Sequence, residues 1–354
     1  MKRTMKRTMK RCPSVPASRI LGTGGNLPPK VVTNLDVTRM METTEDFIVT
    51  RTGVLRRRHA EAHECASSLA VPACQAAVAD AGLTMGDVDL LIMNTITPDH
   101  ADPGSAFFLQ ARLGIPGIAV LDIKQQCAGL IYGLSIADHY IRAGTCRHVL
   151  IACSEVLSKR IDGSYDGRNI AILLGDGAGA VVVGPADDAV APGAASPSGI
   201  LSTILHADGS GAKALYTAAP GSALGRPGCI SRDDLDAGRV HFRMDGRAVF
   251  DNGVARMSEA AEESLAANGL TFDDLDLLIP HQANLRMLEA IVERLHAPRE
   301  KVFVNVEEYG NMASACLPVA LDEARRSGRI GPGSLVLLVA FGSGFVWGSA
   351  LIRL

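Results

Sequence analysis

The sequence predicts an α/β protein made of two packed copies of one unit. Three observations predict it. Strand-like apolar runs alternate with helical patterns, the second half repeats the first at a fixed offset, and no segment is long and apolar enough to span a membrane. Gly82-Leu-Thr-Met-Gly-Asp-Val-Asp-Leu-Leu-Ile92 lies over Gly269-Leu-Thr-Phe-Asp-Asp-Leu-Asp-Leu-Leu-Ile279, an offset of 187 positions from Gly82 to Gly269. Without a gap, the same offset lays Ala128 on Ala315, Leu130 on Leu317, Leu134 on Leu321, Arg142 on Arg329 and Gly144 on Gly331. It also lays Val149-Leu150 on Val336-Leu337. Two generic helix–turn–strand units would not keep a constant register through a helix, a strand and a second helix.

In the first copy, strands are expected at 89–95, 118–123 and 147–153, with helices at 66–81 and 128–143. The apolar run at 179–183 closes that copy. The second copy is expected to hold helices at 253–268, 284–295 and 314–327 and strands at 276–280, 302–306 and 334–340. The domain reading is a basic disordered tail at 1–17, one half at 18–184, a connector rich in Pro, Ala and Asp at 185–198, and the other half at 199–354. Residues 155–170 have no counterpart in the second copy, and loops of that kind often shape a substrate entrance.

The chain has 354 residues, 47% of them hydrophobic, which suits about two domains with sizeable cores. Its first eleven residues repeat Met-Lys-Arg-Thr and carry six basic side chains, but no apolar stretch follows. The start is therefore not a secretory signal; it reads as a disordered tail or a start placed too far upstream. Without those charges the remainder holds 29 basic against 38 acidic residues, which disfavours nucleic acid as a partner. Cys12, Cys65, Cys74, Cys127, Cys146, Cys153, Cys229 and Cys316 form no CxxC pair and no Cys/His metal spacing. They read as reduced thiols of a cytoplasmic protein without a metal site.

Cys127 stands out. The run Ile118-Ala-Val-Leu121 leads towards it, and a helical pattern (Leu130, Leu134, Ala137, Ile141) follows. That places it at a strand-to-helix turn, where unpaired backbone N–H groups favour a thiolate and can hold an oxyanion. A buried structural cysteine is the alternative. Two other segments sit at matching turns: His281 in Pro280-His-Gln-Ala-Asn284, and Asn311 in Tyr309-Gly-Asn-Met-Ala-Ser314. By the offset, Asn94 is equivalent to His281 and Cys127 to Ser314. Packing the two copies about a pseudo-twofold would let the nucleophile of one half face the histidine of the other.

Cys127-Ala-Gly, His281-Gln-Ala-Asn and Gly310-Asn311 together resemble the Cys–His–Asn set of the β-ketoacyl-acyl-carrier-protein synthase III family. So do Thr50-Arg-Thr-Gly53, Gly175-Asp-Gly-Ala-Gly-Ala180, Leu205-His-Ala-Asp-Gly209 and Phe341-Gly-Ser-Gly-Phe-Val-Trp-Gly-Ser-Ala350. The resemblance spans roughly residues 18–354. It implies the thiolase fold, five layers α-β-α-β-α in two pseudo-symmetric halves, normally a homodimer. It implies that Cys127 takes an acyl group from acyl-CoA while the N–H groups of Cys127 and Gly344 hold the oxyanion. His281 and Asn311 would then stabilise the enolate left when a malonyl thioester, on CoA or acyl carrier protein, loses CO2. Each such donor is worth ~3–4 kcal/mol of barrier. No cofactor is implied beyond coenzyme A thioesters as substrates, and no membrane partner. By the same resemblance Phe47 would stack on the adenine of CoA, with Arg51, Arg168 and Arg247 around the nucleotide and Arg286 at the carrier-protein entrance.

The chain also departs from the pattern. Asp102, before Pro103, stands where an aromatic or similarly bulky residue usually closes the acyl pocket across the dimer interface, and Ser343 replaces a glycine of the loop beside the acyl pocket. Glu293-Arg294 stands where a basic pair often meets the carrier protein. These changes, with Asp122-Ile-Lys-Gln-Gln-Cys127, Glu155-Val-Leu-Ser-Lys-Arg160, Thr217-Ala-Ala-Pro-Gly-Ser-Ala223 and Gly310-Asn-Met-Ala-Ser-Ala, resemble a specialised branch, nearest the alkylquinolone-pathway condensing enzymes, and imply an acyl group other than acetyl. Three alternatives remain open. An acyltransferase without C–C bond formation has no enolate for His281 and Asn311 to stabilise. A degradative thiolase commonly employs a second cysteine in the C-terminal glycine-rich loop, absent here. An inactive partner subunit typically loses the nucleophile.

Overall fold

The computed structural model describes residues 17–186, 198–225 and 230–354. The basic tail to residue 16, most of the connector, Cys12 and Cys229 lie outside them.

The first sheet is built from β1 (Ser18–Asn26), β2 (Leu90–Asn94), β3 (Ala119–Ile123), β4 (Val149–Glu155) and β5 (Gly177–Pro185), in the order β1-β5-β4-β2-β3. Strand β2 runs parallel to β3 and β4, while β5 is antiparallel to β4 and β1. The second sheet is built from β6 (Gly199–Ala207), β7 (Leu277–Pro280), β8 (Leu335–Gly342) and β9 (Val346–Arg353), in the order β7-β8-β9-β6. Its pairings repeat those of the first: β7 parallel to β8, then two antiparallel steps. The helices that matter for the site are α1 (Glu45–Thr52), α2 (Ala66–Asp80), α3 (Ser105–Leu113), α4 (Gly129–Arg142), α5 (Gly246–Asn268), α6 (Leu285–Leu295) and α7 (Cys316–Arg326).

Strands that are apolar on both faces must be covered on both faces. Leu90 and Ile92 of β2, with Val149 and Ile151 of β4, join the largest core cluster, while Leu91, Met93, Leu150 and Ala152 point the other way into a second. Val336 and Leu338 of β8 face the largest cluster, and Leu337 and Val339 face a third. The largest cluster also takes Leu130 and Leu134 from α4 and Leu317 and Leu321 from α7, so these two helices lie between the sheets. Helices α2 and α3 cover the outer face of the first sheet, and α5 and α6 that of the second. The result is five layers, helix–sheet–helix–sheet–helix.

The expected elements are present within a residue or two, with two differences. Helix α5 begins at Gly246, seven residues before the expected start, because Asp245 caps it by accepting the Ala248 N–H. The strand expected at 302–306 is absent: only Val302 bridges to Leu278, and Val306–Tyr309 form a helical turn. The second sheet therefore has no equivalent of β3. The segment without a counterpart joins β4 to β5, whereas β8 and β9 are joined by residues 343–345 alone. Among the described residues, no helix is long and apolar enough to cross a membrane.

Candidate active site

Cys127 follows Gln126, whose φ is +49°, and lies in a single 3₁₀ turn that runs into α4. Ala313, at the equivalent position of the other half, has φ +44° and opens the same kind of turn before α7. A positive φ is costly for a side-chain-bearing residue and persists only where its surroundings enforce it. At Gln126 the enforcing group is Asn94, at the end of β2. Its Oδ1 accepts the Gln125 N–H at 2.8 Å and its Nδ2 donates to the Gln126 carbonyl at 3.2 Å. Ser343 Oγ donates to Gln126 Oε1 at 2.8 Å. Gly342, at the end of β8, leaves the room: a Cβ there would stand 2.8 Å from Gln126 Cβ and 2.9 Å from the Cys127 nitrogen.

Cys127, Asn311, Ala313, Ser343 and Gly344 share the wall of a cavity of about 340 Å³. The backbone of Asn311 is pinned by donation to the Leu173 carbonyl at 2.7 Å, and its Oδ1 accepts the Ala313 N–H at 2.8 Å. That leaves the amide Nδ2 as the group able to donate into the cavity. His281 lies just past β7 and is not among the lining residues. It is 2% exposed, its N–H donates to the Val339 carbonyl, and its Nδ1 has no hydrogen-bond partner among the described residues. Cys316 ties the two segments together, its Sγ lying 3.8 Å from the Gln282 carbonyl and 3.9 Å from Asn311 Oδ1.

The thiolate expected at Cys127 is not the resting form. Burial, and then the fields of Cys316 and Glu155, push its pKa well above the usual thiol value, outweighing the N–H groups of the turn. Burial also pushes His281 down to about 4, so its imidazole is neutral at pH 7. The resting pair is a thiol and a neutral imidazole.

A larger cleft of about 1130 Å³ adjoins the cavity, and Ile170, Leu173, Phe242 and Met244 line both. Of the residues assigned to CoA and carrier protein, Arg51, Arg247 and Arg286 line this cleft. Phe47 and Arg168 do not. The Arg168 guanidinium lies 4.7 Å from the Phe47 ring centroid and 3.8 Å from that of Tyr165, and Arg51 lies 5.5 Å from Phe47. Both guanidinium groups thus lie close against the Phe47 ring. Asp102 is exposed on the loop before α3 and does not reach the Cys127 cavity within its own chain.

The sequence pattern assigns no role to Lys124, Glu155 or Arg160. Lys124 and Arg160 line the cavity. Glu155 is fully buried and accepts hydrogen bonds from Ser314 Oγ at 2.5 Å, the Ile96 N–H at 3.0 Å, Thr97 Oγ1 at 3.0 Å and Thr95 Oγ1 at 3.3 Å. The available signal was a carboxylate closing an otherwise apolar strand, Val149-Leu-Ile-Ala-Cys-Ser-Glu155. His241, Arg243 and Asn284 of the cleft were also missed.

A duplicated α/β unit with a cysteine at one interfacial turn, and a histidine and an asparagine supplied by the other half, defines a thiolase-fold acyl-transferring enzyme. Residues 121–209 match the 3-oxoacyl-[acyl-carrier-protein] synthase III family, and residues 265–354 match that family's C-terminal part. The chain is 44% identical to the β-ketoacyl-[acyl-carrier-protein] synthase III of Methylococcus capsulatus, over 95% of this chain and 98% of that one. It superposes on the 3-oxoacyl-[acyl-carrier-protein] synthase III of Aquifex aeolicus with TM-score 0.84 and 37% identity, covering 95% and 100% of the two chains. It also superposes on the priming β-ketosynthase of the R1128 polyketide pathway with TM-score 0.83 and 34% identity, covering 97% and 98%. The chain belongs to the 3-oxoacyl-[acyl-carrier-protein] synthase III family, and it is a condensing acyltransferase.

Proposed function

We propose that this enzyme loads an acyl group from acyl-CoA onto Cys127 and extends it with a malonyl thioester carried by CoA or acyl carrier protein. The Cys127 sulfur attacks the thioester carbonyl, with the oxyanion held by the Cys127 and Gly344 N–H groups. The carbon–sulfur bond to CoA breaks, and the thiol proton ends on the departing CoA sulfur. Malonyl thioester then enters. Its carbon–carboxylate bond breaks, CO2 leaves, and the electron pair becomes an enolate held by hydrogen bonds from His281 and Asn311 Nδ2. The enolate carbon attacks the acyl-Cys127 carbonyl, giving a 3-oxoacyl thioester, and the cysteine sulfur leaves and recovers a proton.

The observation that carries this reading is the shared cavity wall of Cys127, Asn311 and Gly344, with the Asn311 oxygen tied back so that only its amino group is free to donate. A neutral His281 supports the donor role, since an imidazole keeps one N–H at neutral pH. In the test, His281→Ala and Asn311→Ala still gain the acyl mass at Cys127 on mixing with acyl-CoA but release no CO2 from malonyl thioester. Loss of acylation in either variant would overturn the assignment.

The finer reading is a homodimer in the cytoplasm, serving a specialised pathway akin to the alkylquinolone branch and using an acyl group other than acetyl. CoA would enter by the large cleft past Arg51 and Arg247, with Phe47 and Arg168 flanking adenine and Arg286 meeting the carrier protein. Asp102 and Ser343 support the specialised reading, since both replace residues that usually shape an acetyl-sized pocket. A preference for acetyl-CoA over larger and aryl thioesters would refute it.

A further inference from the structure

We propose that the cavity at Cys127 receives an acyl group whose far end is a carboxylate, as supplied by the CoA monothioester of a short dicarboxylic acid. This rests on Cys127 as the acyl carrier and names the class of acyl group it carries.

The argument starts from charge. The chain carries more acidic than basic residues, yet the cavity wall contains Lys124 and Arg160 and no Asp or Glu. Arg160 donates from Nη1 to the Ile96 carbonyl at 2.8 Å and from Nη2 to Thr217 Oγ1 at 3.2 Å, and lies 4.7 Å from the Phe242 ring centroid. All three partners are neutral, and all three line the same cavity. A guanidinium has five N–H donors, so three remain unspent. Among the described residues, neither Arg160 nor Lys124 forms an ion pair. Glu155 acts on Arg160 only through its field, and its own carboxyl is spent on Ser314, Ile96, Thr95 and Thr97.

The geometry adds direction. Ile96, Lys124, Arg160 and Thr217 also line a second cavity of about 670 Å³, so the two cations stand where it meets the cysteine cavity; Glu64 and Asp99 line that second cavity but not the cysteine cavity, and Asp99 accepts hydrogen bonds from Ser67. The far end of a bound acyl group therefore meets positive charge instead of a closed apolar wall. An alkyl end would strip water from a guanidinium and leave it uncompensated, at a cost. A carboxylate end would complete the guanidinium fork, and stacking on Phe242 already holds that fork in one orientation.

The test follows loading of the wild-type enzyme alone, without malonyl thioester, by intact-protein mass spectrometry. The probes are butyryl-CoA, glutaryl-CoA and the glutaryl-CoA methyl ester. Glutaryl-CoA is expected to load at least about tenfold faster than the other two, the factor a charge-assisted hydrogen-bonded pair supplies. In Arg160→Gln the glutaryl-to-butyryl ratio falls to near one, and in the exposed-site variant Lys124→Met it falls part of the way. Equal loading by acid and ester overturns the proposal, as does an unchanged ratio in Arg160→Gln. In a second assay with malonyl thioester added, an effect of Arg160→Gln on CO2 release with loading by all three probes unchanged also overturns it, and would assign the cation to malonyl instead. If Arg160→Gln does not fold, the wild-type donor series and Lys124→Met decide. Loading by butyryl-CoA without any preference for the acid defeats this inference alone. No loading by any thioester defeats the reading of Cys127 as well.

Discussion

Glu155 gives the most quantitative prediction. Its carboxyl is fully buried, has no bonded cation, and is pushed from 4.5 up to about 7 by burial against the pull of its four donors. Between those two values the unfolded chain has lost this proton while the folded chain keeps it. Proton uptake is then greater in the folded state, so this group's contribution to stability falls as pH rises. Over the window from 4.5 to about 7 the loss is about 3 kcal/mol. Two buried histidines work in the opposite sense. His59 and His281 are pushed from 6.5 down to about 4, so the folded state binds fewer protons there and stability rises with pH up to 6.5. The raw pH profile of the wild type therefore mixes slopes of both signs.

The difference between wild type and Glu155→Gln removes the histidines. Urea unfolding of both proteins at pH 4.5, 5.5, 6.5 and 7.5 should show the variant gaining about 3 kcal/mol relative to wild type across the series. The variant starts lower at acid pH, because an amide satisfies the donors of Ser314, Thr95, Thr97 and Ile96 less well than a carboxyl does. Parallel stability curves would refute the reasoning, since they would mean that Glu155 titrates alike in both states.

Three further outcomes follow from the geometry. Gly342→Ala places a methyl 2.9 Å from the Cys127 nitrogen, so acyl loading should fall by about a hundredfold or more while circular dichroism stays native; loading at the wild-type rate would exclude tight packing there. Phe47→Ala should raise KM for acyl-CoA about tenfold with kcat little changed, the value of one lost base stack; an unchanged KM would remove Phe47 from the CoA site. Leu134→Ala, in the helix layer between the sheets, should cost ~2–5 kcal/mol by urea unfolding, and a cost below ~1 kcal/mol would contradict a filled inter-sheet core.

Most of the fold was legible because one signal recurs. Apolar strands alternate with helices at a constant offset, and Cys127 and His281 each stand at a strand-to-helix turn of that pattern, whereas Asn311 follows the helical turn Val306–Tyr309 instead of a strand. What the pattern could not show was local. Val302 to Val306 has the composition of a strand, yet Gln282 Oε1 accepts the N–H groups of Asn305 and Val306, and the chain turns into a helix instead of pairing. The cations of the cavity were invisible because Lys124 and Arg160 lie 36 positions apart and meet only when the inserted segment folds back over the cysteine turn. The ionisation of Cys127 was misjudged for a related reason. The helix terminus is visible in the sequence, whereas the buried Cys316 and Glu155 beside it come from other elements.

The duplication explains why only one of the two turns is open. Position 155 at the end of β4 is equivalent to position 342 at the end of β8, and each meets the turn of the opposite half. On one side of the pseudo-twofold, Glu155 accepts a hydrogen bond from Ser314, which closes that turn. On the other side, Gly342 presents no side chain at all, and the space goes to Gln126 and Cys127. The strand ends have diverged in the same way: Asn94 is spent holding the cysteine turn of its own half, while His281 bonds through its backbone and keeps Nδ1 without a partner. A symmetric pair, with a glutamate at both strand ends, would fill the space beside the nucleophile. A glycine at both would leave the Ser314 turn unsupported, and with it the segment that carries Asn311. Catalysis by this fold therefore requires the two copies to differ at these two pairs of equivalent positions, one half giving up its turn to support the other's.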